Sequence, residues 1–150
     1  MIVFALMAWI GAWAFGFNFI GGGPVSLALF LLGCFLTALV VGLLVCSLVL
    51  LFGTRAETSA WAAVNFVVML SGIYYPVSVL PGWVAAVSAW IPLTYFLDGF
   101  RAGYGFPSEF AHPFLKGFAL VLGYVALAHG ALAAAITRAR RTGLLLKLSE

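Results

Sequence analysis

Residues 76–106 read PVSVLPGWVAAVSAWIPLTYFLDGFRAGYGF, and this stretch decides the fold of the chain. No charged residue occurs in it before Asp98, although Pro76, Pro81 and Pro92 rule out one continuous helix. Pieces of about ten residues are too short to cross a bilayer, which needs about 20 residues of helix. Non-helical backbone at membrane depth is tolerated only where it is buried in protein or lines a cavity. The stretch therefore predicts a helical hairpin that enters the membrane from one face and returns to it.

The rest of the 150-residue chain is as apolar as this stretch. Hydrophobic residues make up 65% of it and charged residues 7%, and the mean hydropathy is +1.20. Ordinary soluble domains have roughly 45–50% and 25% of these residues. Because too little polar surface is left to coat a soluble core, the composition excludes a soluble enzyme, a disordered tail and a disulfide-stapled secreted module. It predicts an all-α membrane protein.

Four long apolar runs flank the hairpin and are separated by short breaks. The cluster Gly-Gly-Gly-Pro at 21–24 ends the first run. Residues 53–59 carry Arg55 and Glu57 and predict a polar loop. The re-entrant segment covers about residues 77–104. We expect four transmembrane helices, at about residues 2–20, 25–52, 60–76 and 114–137.

The distribution of basic residues predicts the orientation in the membrane. With four spans, the loop at 53–59 and the C-terminal tail at 138–150 lie on the same side. That side carries five of the seven basic residues, Arg55, Arg138, Arg140, Arg141 and Lys147. Because cytoplasmic loops are enriched in Lys and Arg, both termini are expected in the cytoplasm and the hairpin on the outer face. The basic residues are too few and too scattered for a nucleic-acid partner.

The hairpin ends in Asp98 and Arg101, whose i, i+3 spacing places them on one face of a helix. Two interpretations stay open: a structural ion pair that fixes the start of this helix, or a polar contact for a substrate headgroup or a gate. We expect Trp83, Trp90 and Tyr95 to anchor the hairpin at the membrane interface.

Isolated polar and small residues in the apolar runs predict contacts between helices. Asn18, Thr37 and Asn65 are expected to form hydrogen bonds between helices rather than to bind substrate. Ala126, Gly130 and Ala134 form a small-residue stripe that fits tight packing against a neighbouring helix or a second protomer.

The sequence carries no motif of a catalytic, cofactor or metal site. It lacks the GxxxxGK[ST] loop that binds ATP phosphates, as well as HExxH and GxSxG. Cys34 and Cys46 form no CxxC motif. An intramembrane enzyme that uses Glu109, His112 and His129 is a minor alternative, because His129 falls well inside the last span, over about 20 Å from the other two.

The run SGIYYPVSVLPGWVAAVSAWIPLTYFLDGFR resembles the signature of ABC-2 type transporter permeases. In that signature an SG(V/I)xxP end of a span leads to LPxW, then to (N)PLTY and an acid three residues before Arg. Ile91 stands where Asn is usual, and Asp98 stands where Glu is commoner. The matching residues are Ser71, Gly72, Pro76, Leu80, Pro81, Trp83, Pro92, Leu93, Thr94, Tyr95, Asp98 and Arg101.

The resemblance implies a fold, partners and a function. Family members have six spans, pair with a second copy to form an export pathway, and use a separate ATP-binding subunit, so no cofactor is expected on this chain. The four spans then correspond to the last four of the family, and residues 1–150 form one ABC-2 domain without the first two. We expect a permease subunit of an exporter in a bacterial or archaeal cell membrane, as a homo- or heterodimer. A non-transporting assembly or scaffold subunit is the alternative, and the substrate is left open.

Overall fold

The computed structural model describes residues 2–16, 21–53 and 55–142, and the regular elements in this part are all helical. This confirms the prediction of an all-α protein. A single 3-10 turn lies at Val77–Val79. The α-helices are α1 (Ile2–Phe15), α2 (Pro24–Phe52), α3 (Arg55–Leu70), α4 (Gly82–Ser88), α5 (Pro92–Ala102) and α6 (Pro113–Thr142).

Two of these helices, α2 and α6, are long and apolar enough to cross a membrane. Helix α2 has 29 residues and is about 43 Å long, more than the roughly 30 Å of a hydrocarbon core. Only 11% of the most apolar stretch of α2 and 17% of that of α6 are buried in the chain. A core helix of a soluble protein would be mostly buried, so these helices present apolar faces to their surroundings. Their bounds agree with the predicted spans at 25–52 and 114–137.

The other two predicted spans differ from the structure: the helix of the first is shorter, and that of the third is displaced toward the N-terminus and ends at Leu70 rather than at 76. Helix α1 has 14 residues, and the predicted end of its span at 17–20 lies outside the described residues. Helix α3 begins at Arg55, so the predicted polar loop at 53–59 is wrong for most of its length. Gly53, with φ 80°, ends α2, and an acidic residue in the first turn of α3 suits a helix N-terminus. Four complete spans therefore stay a prediction.

Phe96 of α5 is the centre of the core. Its side chain is fully buried, and it packs edge-on against Phe118 of α6 with the ring centroids 4.9 Å apart. The ring fits between two glycines: a Cβ on Gly33 of α2 would collide with it, and a Cβ on Gly117 of α6 would lie 3.0 Å from it. The two glycines thus let α5 lie directly between α2 and α6.

Helices α2 and α6 also pack directly on each other along regularly spaced small residues. The buried residues of α2 recur every seven positions, and so do the fully buried residues Val121, Ala128 and Ala135 of α6. A seven-residue repeat keeps one face of a helix turned to its partner in left-handed packing. Gly22, just before α2, lies against Tyr104, and Phe114, at the start of α6, lies against Gly99 of α5. Both helices therefore begin at the hairpin and run in the same direction, and the intervening α3 runs back toward the hairpin.

The small-residue stripe of α6 is not used inside the chain. Ala126, Gly130 and Ala134 are exposed, and a Cβ on Gly130 would meet no atom within 4 Å. Within the described part of the chain, the prediction that this stripe packs against a neighbouring helix is therefore wrong. Helix α2 packs instead on another face of α6, the one that carries Val121, Ala128 and Ala135. Packing against a second protomer stays a prediction.

Thr37 and Asn65 do not link helices either. The Thr37 hydroxyl donates to the carbonyl oxygen of Gly33 at 2.8 Å, and the Asn65 amide donates to that of Trp61 at 3.0 Å. Both acceptors lie one turn earlier on the same helix, where polar groups in a membrane helix find the nearest backbone partner. The predicted hydrogen bonds between helices were wrong for these two residues, and Asn18 lies outside the described residues.

Candidate functional site

The prolines of the hairpin divide it into short helices, as the sequence predicted. Pro76 precedes the 3-10 turn, Pro81 is the N-cap of α4, and Pro92 is the first residue of α5. Proline suits these positions because its fixed φ fits the start of a helix and no amide hydrogen is needed there. Helices α4 and α5 have 7 and 11 residues and form the two arms of the hairpin. Its re-entry into a membrane stays a prediction.

Helix α4 has one face in the chain and one face outside it. Val84 and Ser88 are buried, whereas Trp83 and Trp90 are 74% and 70% exposed. Trp83 lies on α4 and Trp90 in the turn after it. Exposed indole rings are typical of a membrane interface, and the anchoring role of the two tryptophans stays a prediction.

Tyr95 differs from the expectation that it joins this aromatic anchor. It is 7% exposed, its hydroxyl donates to the carbonyl oxygen of Ala89 at 2.9 Å, and its ring lies 4.6 Å from that of Phe110. Burial raises the pKa of Tyr95, so the phenol stays a protonated donor. Tyr95 therefore holds the turn between the two arms rather than contacting lipid.

The C-terminal end of α3 is held by both arms of the hairpin. The Ser88 hydroxyl of α4 donates to the carbonyl oxygen of Leu70 at 2.6 Å. The Arg101 guanidinium of α5 donates to the carbonyl oxygens of Gly72 at 2.7 Å and Ile73 at 3.2 Å. These two carbonyls lie in the turn just after Leu70, the last residue of α3, so Arg101 fixes this turn to α5. Gly72 allows the chain to leave the helix, since its φ of 81° suits glycine.

Asp98, on the same helix as Arg101, holds the segment that leads into α6. Its carboxylate accepts hydrogen bonds from the Ser108 hydroxyl at 2.7 Å and from the backbone amides of Glu109 at 3.1 Å and Phe110 at 3.3 Å. Asp98 is only 9% exposed, and a buried carboxylate needs such partners. The hydrogen bonds of Asp98 and Arg101 thus go to different segments of the chain, and the expectation that the two form a structural ion pair is replaced by two separate backbone anchors.

A small cavity of about 170 Å³, lined by both apolar and polar side chains, lies between these anchors. The 3-10 turn closes one side of it, where the amide of Ser78 donates to the Glu109 carboxylate at 3.0 Å. Thr94 lines the cavity as well. The residue is 1% exposed, and its buried hydroxyl has no hydrogen-bond partner among the described residues. Asp98 and Glu109 outnumber Arg101 in the lining, so the cavity is net acidic.

The structure thus brings five of the predicted signature residues together in the lining of the cavity, and the others lie around it. Ser71, Pro76, Thr94, Asp98 and Arg101 line the cavity. The remaining signature residues shape the backbone or its surface around it: Gly72, Leu80, Pro81, Trp83, Pro92, Leu93 and Tyr95.

Sequence reasoning missed Ser108 and Phe96 and gave Glu109 a different role, in the enzymatic alternative. Ser108 and Glu109 lie beyond the signature, and no local pattern links them to Asp98 or Ser78. Phe96 lies inside the signature. The only signal for its role was that it is a large apolar residue on the same face of α5 as Gly99. A Cβ on Gly99 would lie 2.8 Å from the ring of Phe114.

The minor enzymatic site is not assembled. Glu109 is engaged with the 3-10 turn, His112 directly precedes α6, and His129 lies about 24 Å along α6 from its first residue. Among residues 2–16, 21–53 and 55–142, no group of three His, Cys, Asp or Glu side chains is placed to hold a metal ion.

Replacing Arg101 by lysine is expected to loosen the end of α3. Lysine keeps the charge, but a single ammonium does not reproduce the planar guanidinium that reaches two adjacent carbonyls. We expect hydrogen exchange of the amides at 68–71 to rise about tenfold, which corresponds to about 1.4 kcal/mol. Lys116→Arg, a change of the same type at an exposed position of α6, serves as the control. Equal exchange in wild type and Arg101→Lys would show that the guanidinium does not hold this end.

The sequence model of the ABC-2 type transporter family matches residues 1–104, which include the whole signature and end just after α5. No curated protein and no solved structure matches the chain. The match covers more than half of the 150 residues and agrees with the apolar helices and with the hairpin of short helices. The chain belongs to the ABC-2 type transporter family and is a membrane-embedded permease component.

Proposed function

We propose that this chain is the permease subunit of an ATP-driven exporter, in which two copies enclose the pathway and a separate ATP-binding subunit supplies the energy. One observation carries the proposal: α5 is anchored through Arg101 to the end of α3 and through Asp98 to the segment before α6. The hairpin is therefore fixed to the ends of two membrane helices, as a structure that caps the pathway would be. Family membership supports the transport role.

In this proposal the hairpin closes the outer end of the pathway and moves with the helices that hold it. Arg101 follows the end of α3, and Asp98 follows the segment before α6. When ATP binding draws the cytoplasmic ends of the helices together, a change in the spacing of α3 and α6 at the hairpin end must strain one of the two anchors. The cap would then open by release of an anchor rather than by unfolding of α5.

The energy source is testable by purification with the partner. The full chain, tagged and extracted from its native membranes, is expected to carry an ATP-binding subunit, since this sequence has no P-loop. Vesicles that contain both subunits should then export a substrate only with ATP. A tagged permease with a known ATPase controls for loss of partners during extraction. Recovery of the chain with other membrane proteins and no ATPase would favour the scaffold alternative.

The orientation predicts which positions react with reagents that do not cross the membrane. Ser78 is exposed on the hairpin, so a cysteine there is expected to react from outside in intact cells. A cysteine in place of Thr142, at the end of the arginine-rich segment, is expected to react only after the membrane is opened. The native Cys34 and Cys46, replaced by alanine, provide the background. Labelling of Thr142→Cys from outside would reverse the orientation.

A further inference from the structure

Helix α5 lies along α2 over its whole length. Three contacts follow one another, each given with the residue of α5 first: Gly103 with Ser26, Phe100 with Phe30, and Phe96 with Gly33. The two rings of the middle contact are stacked 4.4 Å apart, and a Cβ on Gly103 would lie 3.1 Å from the Ser26 hydroxyl. Because the contacts move forward along α2 as they move back along α5, the two helices are antiparallel and in contact at successive turns.

Helix α5 also lies along the first half of α6. The contacts there, again with the hairpin residue first, are Gly99 with Phe114, Phe96 with Phe118, and Trp90 with Tyr124. In the last contact the Tyr124 hydroxyl donates to the carbonyl oxygen of Trp90 at 2.9 Å, just before α5 begins. Helix α5 is therefore held between two long helices along its length, and α2, α5 and α6 form a three-helix unit.

Helix α3 lies outside this three-helix unit. The described members of the hydrophobic core around Phe96 all lie on α2, α5 or α6. Between residues 56 and 70, Ala60 alone is buried, and Phe66 and Met69 are 70% and 59% exposed. Since burial of apolar surface is what packing contributes, packing holds α3 more weakly than it holds α5.

The chain turns at a glycine on each side of α3. Gly53 lies just before the helix with a φ of 80°, and Gly72 lies just after it with a φ of 81°. A Cβ on Gly53 would meet no atom within 4 Å. Helices swing as rigid bodies through changes of φ and ψ at a few residues where an element ends. Helix α3 therefore has a hinge position at each end.

The end of α3 is fixed to the hairpin by side-chain hydrogen bonds. Arg101 of α5 binds two carbonyl oxygens in the turn after α3, and Ser88 of α4 binds the carbonyl oxygen of Leu70. Loss of these bonds would leave α3 with its weak packing alone. Loss of the Asp98 anchor, in contrast, would leave α5 still packed on α6. The two anchors of the hairpin are therefore unequal.

We propose that α3 is the moving helix of the gate and that Arg101 and Ser88 are its latch, whereas the hairpin stays fixed to α2 and α6. The anchor that releases when the outer end of the pathway opens is then the one to α3. This role as a gate rests on the proposed function. The division into a fixed three-helix unit and a latched α3 does not, and its test needs neither ATP nor a partner.

The test measures two distances between nitroxide spin labels on the full chain in phosphatidylcholine nanodiscs. Unlabelled chain is in excess, so that distances between copies are not counted. One pair, Met69→Cys with Trp83→Cys, joins α3 to the hairpin, and the other, Trp83→Cys with Leu122→Cys, joins the hairpin to α6. All three positions are exposed, and the native Cys34 and Cys46 are replaced by alanine.

Removal of the latch is expected to move α3 alone. In Arg101→Gln the distance from α3 to the hairpin should lengthen by about 5 Å, one helical turn, and the distance from the hairpin to α6 should change by less than about 2 Å. Lys116→Gln, which removes the same charge at an exposed position of α6, should change neither distance. Asp98→Asn should change neither distance either, because packing still holds α5 on α6.

Two results would overturn the proposal. One is that both distances stay unchanged in Arg101→Gln, and the other is that the hairpin moves away from α6 in Arg101→Gln or in Asp98→Asn. If Arg101→Gln does not fold, Ser88→Ala, which removes the bond to Leu70, should lengthen the same distance alone. Movement of α3 alone in a chain that shows no ATP-driven export would refute the proposed function and support the latch.

Discussion

Replacing Gly33 by leucine is expected to displace α5 from its position between α2 and α6, so that little of the protein folds. Even a Cβ at this position collides with the ring of Phe96, which is fully buried and confined on its other sides by Gly117 and Phe118. Overpacking of a closed core costs about 1–3 kcal/mol, and a ring with no free space raises the cost toward about 4 kcal/mol. We expect the midpoint of thermal unfolding in detergent to fall by about 8–16 °C.

Gly42 on the same helix provides the matched control. A Cβ there would meet no atom within 4 Å, so Gly42→Leu is expected to be neutral or slightly stabilising. Phe96→Ala alone leaves a cavity and costs about 3–5 kcal/mol, but combined with Gly33→Leu it frees the space that leucine needs. The double variant should therefore be more stable than the sum of the single changes by about 2 kcal/mol. Strict additivity would show that Gly33 and Phe96 are not in the contact described.

Replacing Asp98 by asparagine is expected to release the segment before α6. The amide has one oxygen in place of two, and its NH₂ group faces donors where the carboxylate accepted three hydrogen bonds. Each buried donor left without a partner costs about 1–3 kcal/mol, so we expect a loss of about 2–4 kcal/mol. Hydrogen exchange at the amides of Glu109 and Phe110 should rise, because Asp98 is their acceptor. ATP-dependent export in vesicles should fall with it if the hairpin is the cap.

Glu57→Gln is the control for the loss of one negative charge. Glu57 is exposed in the first turn of α3, far along the chain from the hairpin, and its change should leave the exchange at Glu109 and Phe110 as in wild type. Asp98→Glu keeps the charge but lengthens the side chain, so partial protection is expected. Unchanged protection of both amides in Asp98→Asn would mean that these hydrogen bonds do not hold the segment.

The local features of the fold were predictable because they depend on neighbouring residues. Proline fixes its own φ and lacks an amide hydrogen, so Pro76, Pro81 and Pro92 indicated the breaks between the short helices before any contact was known. Unbroken apolar runs gave α2 and the beginning of α6 to within one residue, whereas α6 continues five residues beyond its predicted end at 137. The beginning of α3 was missed, since Arg55 and Glu57 suggested a loop although both residues are favourable in helices.

The contacts of the site were not predictable, because each joins residues far apart in sequence. Spacing alone suggested that Asp98 and Arg101 could bind each other, but on the folded chain Asp98 accepts from Ser108 and two backbone amides, and Arg101 donates to two carbonyl oxygens. Ser88 and Leu70 are 18 residues apart, and Ser78 and Glu109 are 31 apart. No periodicity encodes such pairs. The same holds for Tyr95, whose aromatic character suggested lipid while its hydroxyl found a buried carbonyl.

The anchors of Asp98 have a consequence for exchanging hairpins between relatives. The signature ends at Arg101 and the family match at residue 104, whereas the donors to Asp98 lie at 108–110. A graft limited to the signature would carry a buried carboxylate into a host that lacks its donors. The smallest portable unit is therefore residues 71–110, from the end of α3 to the segment before α6, and chimaeras cut inside it should misassemble even when every signature residue is kept.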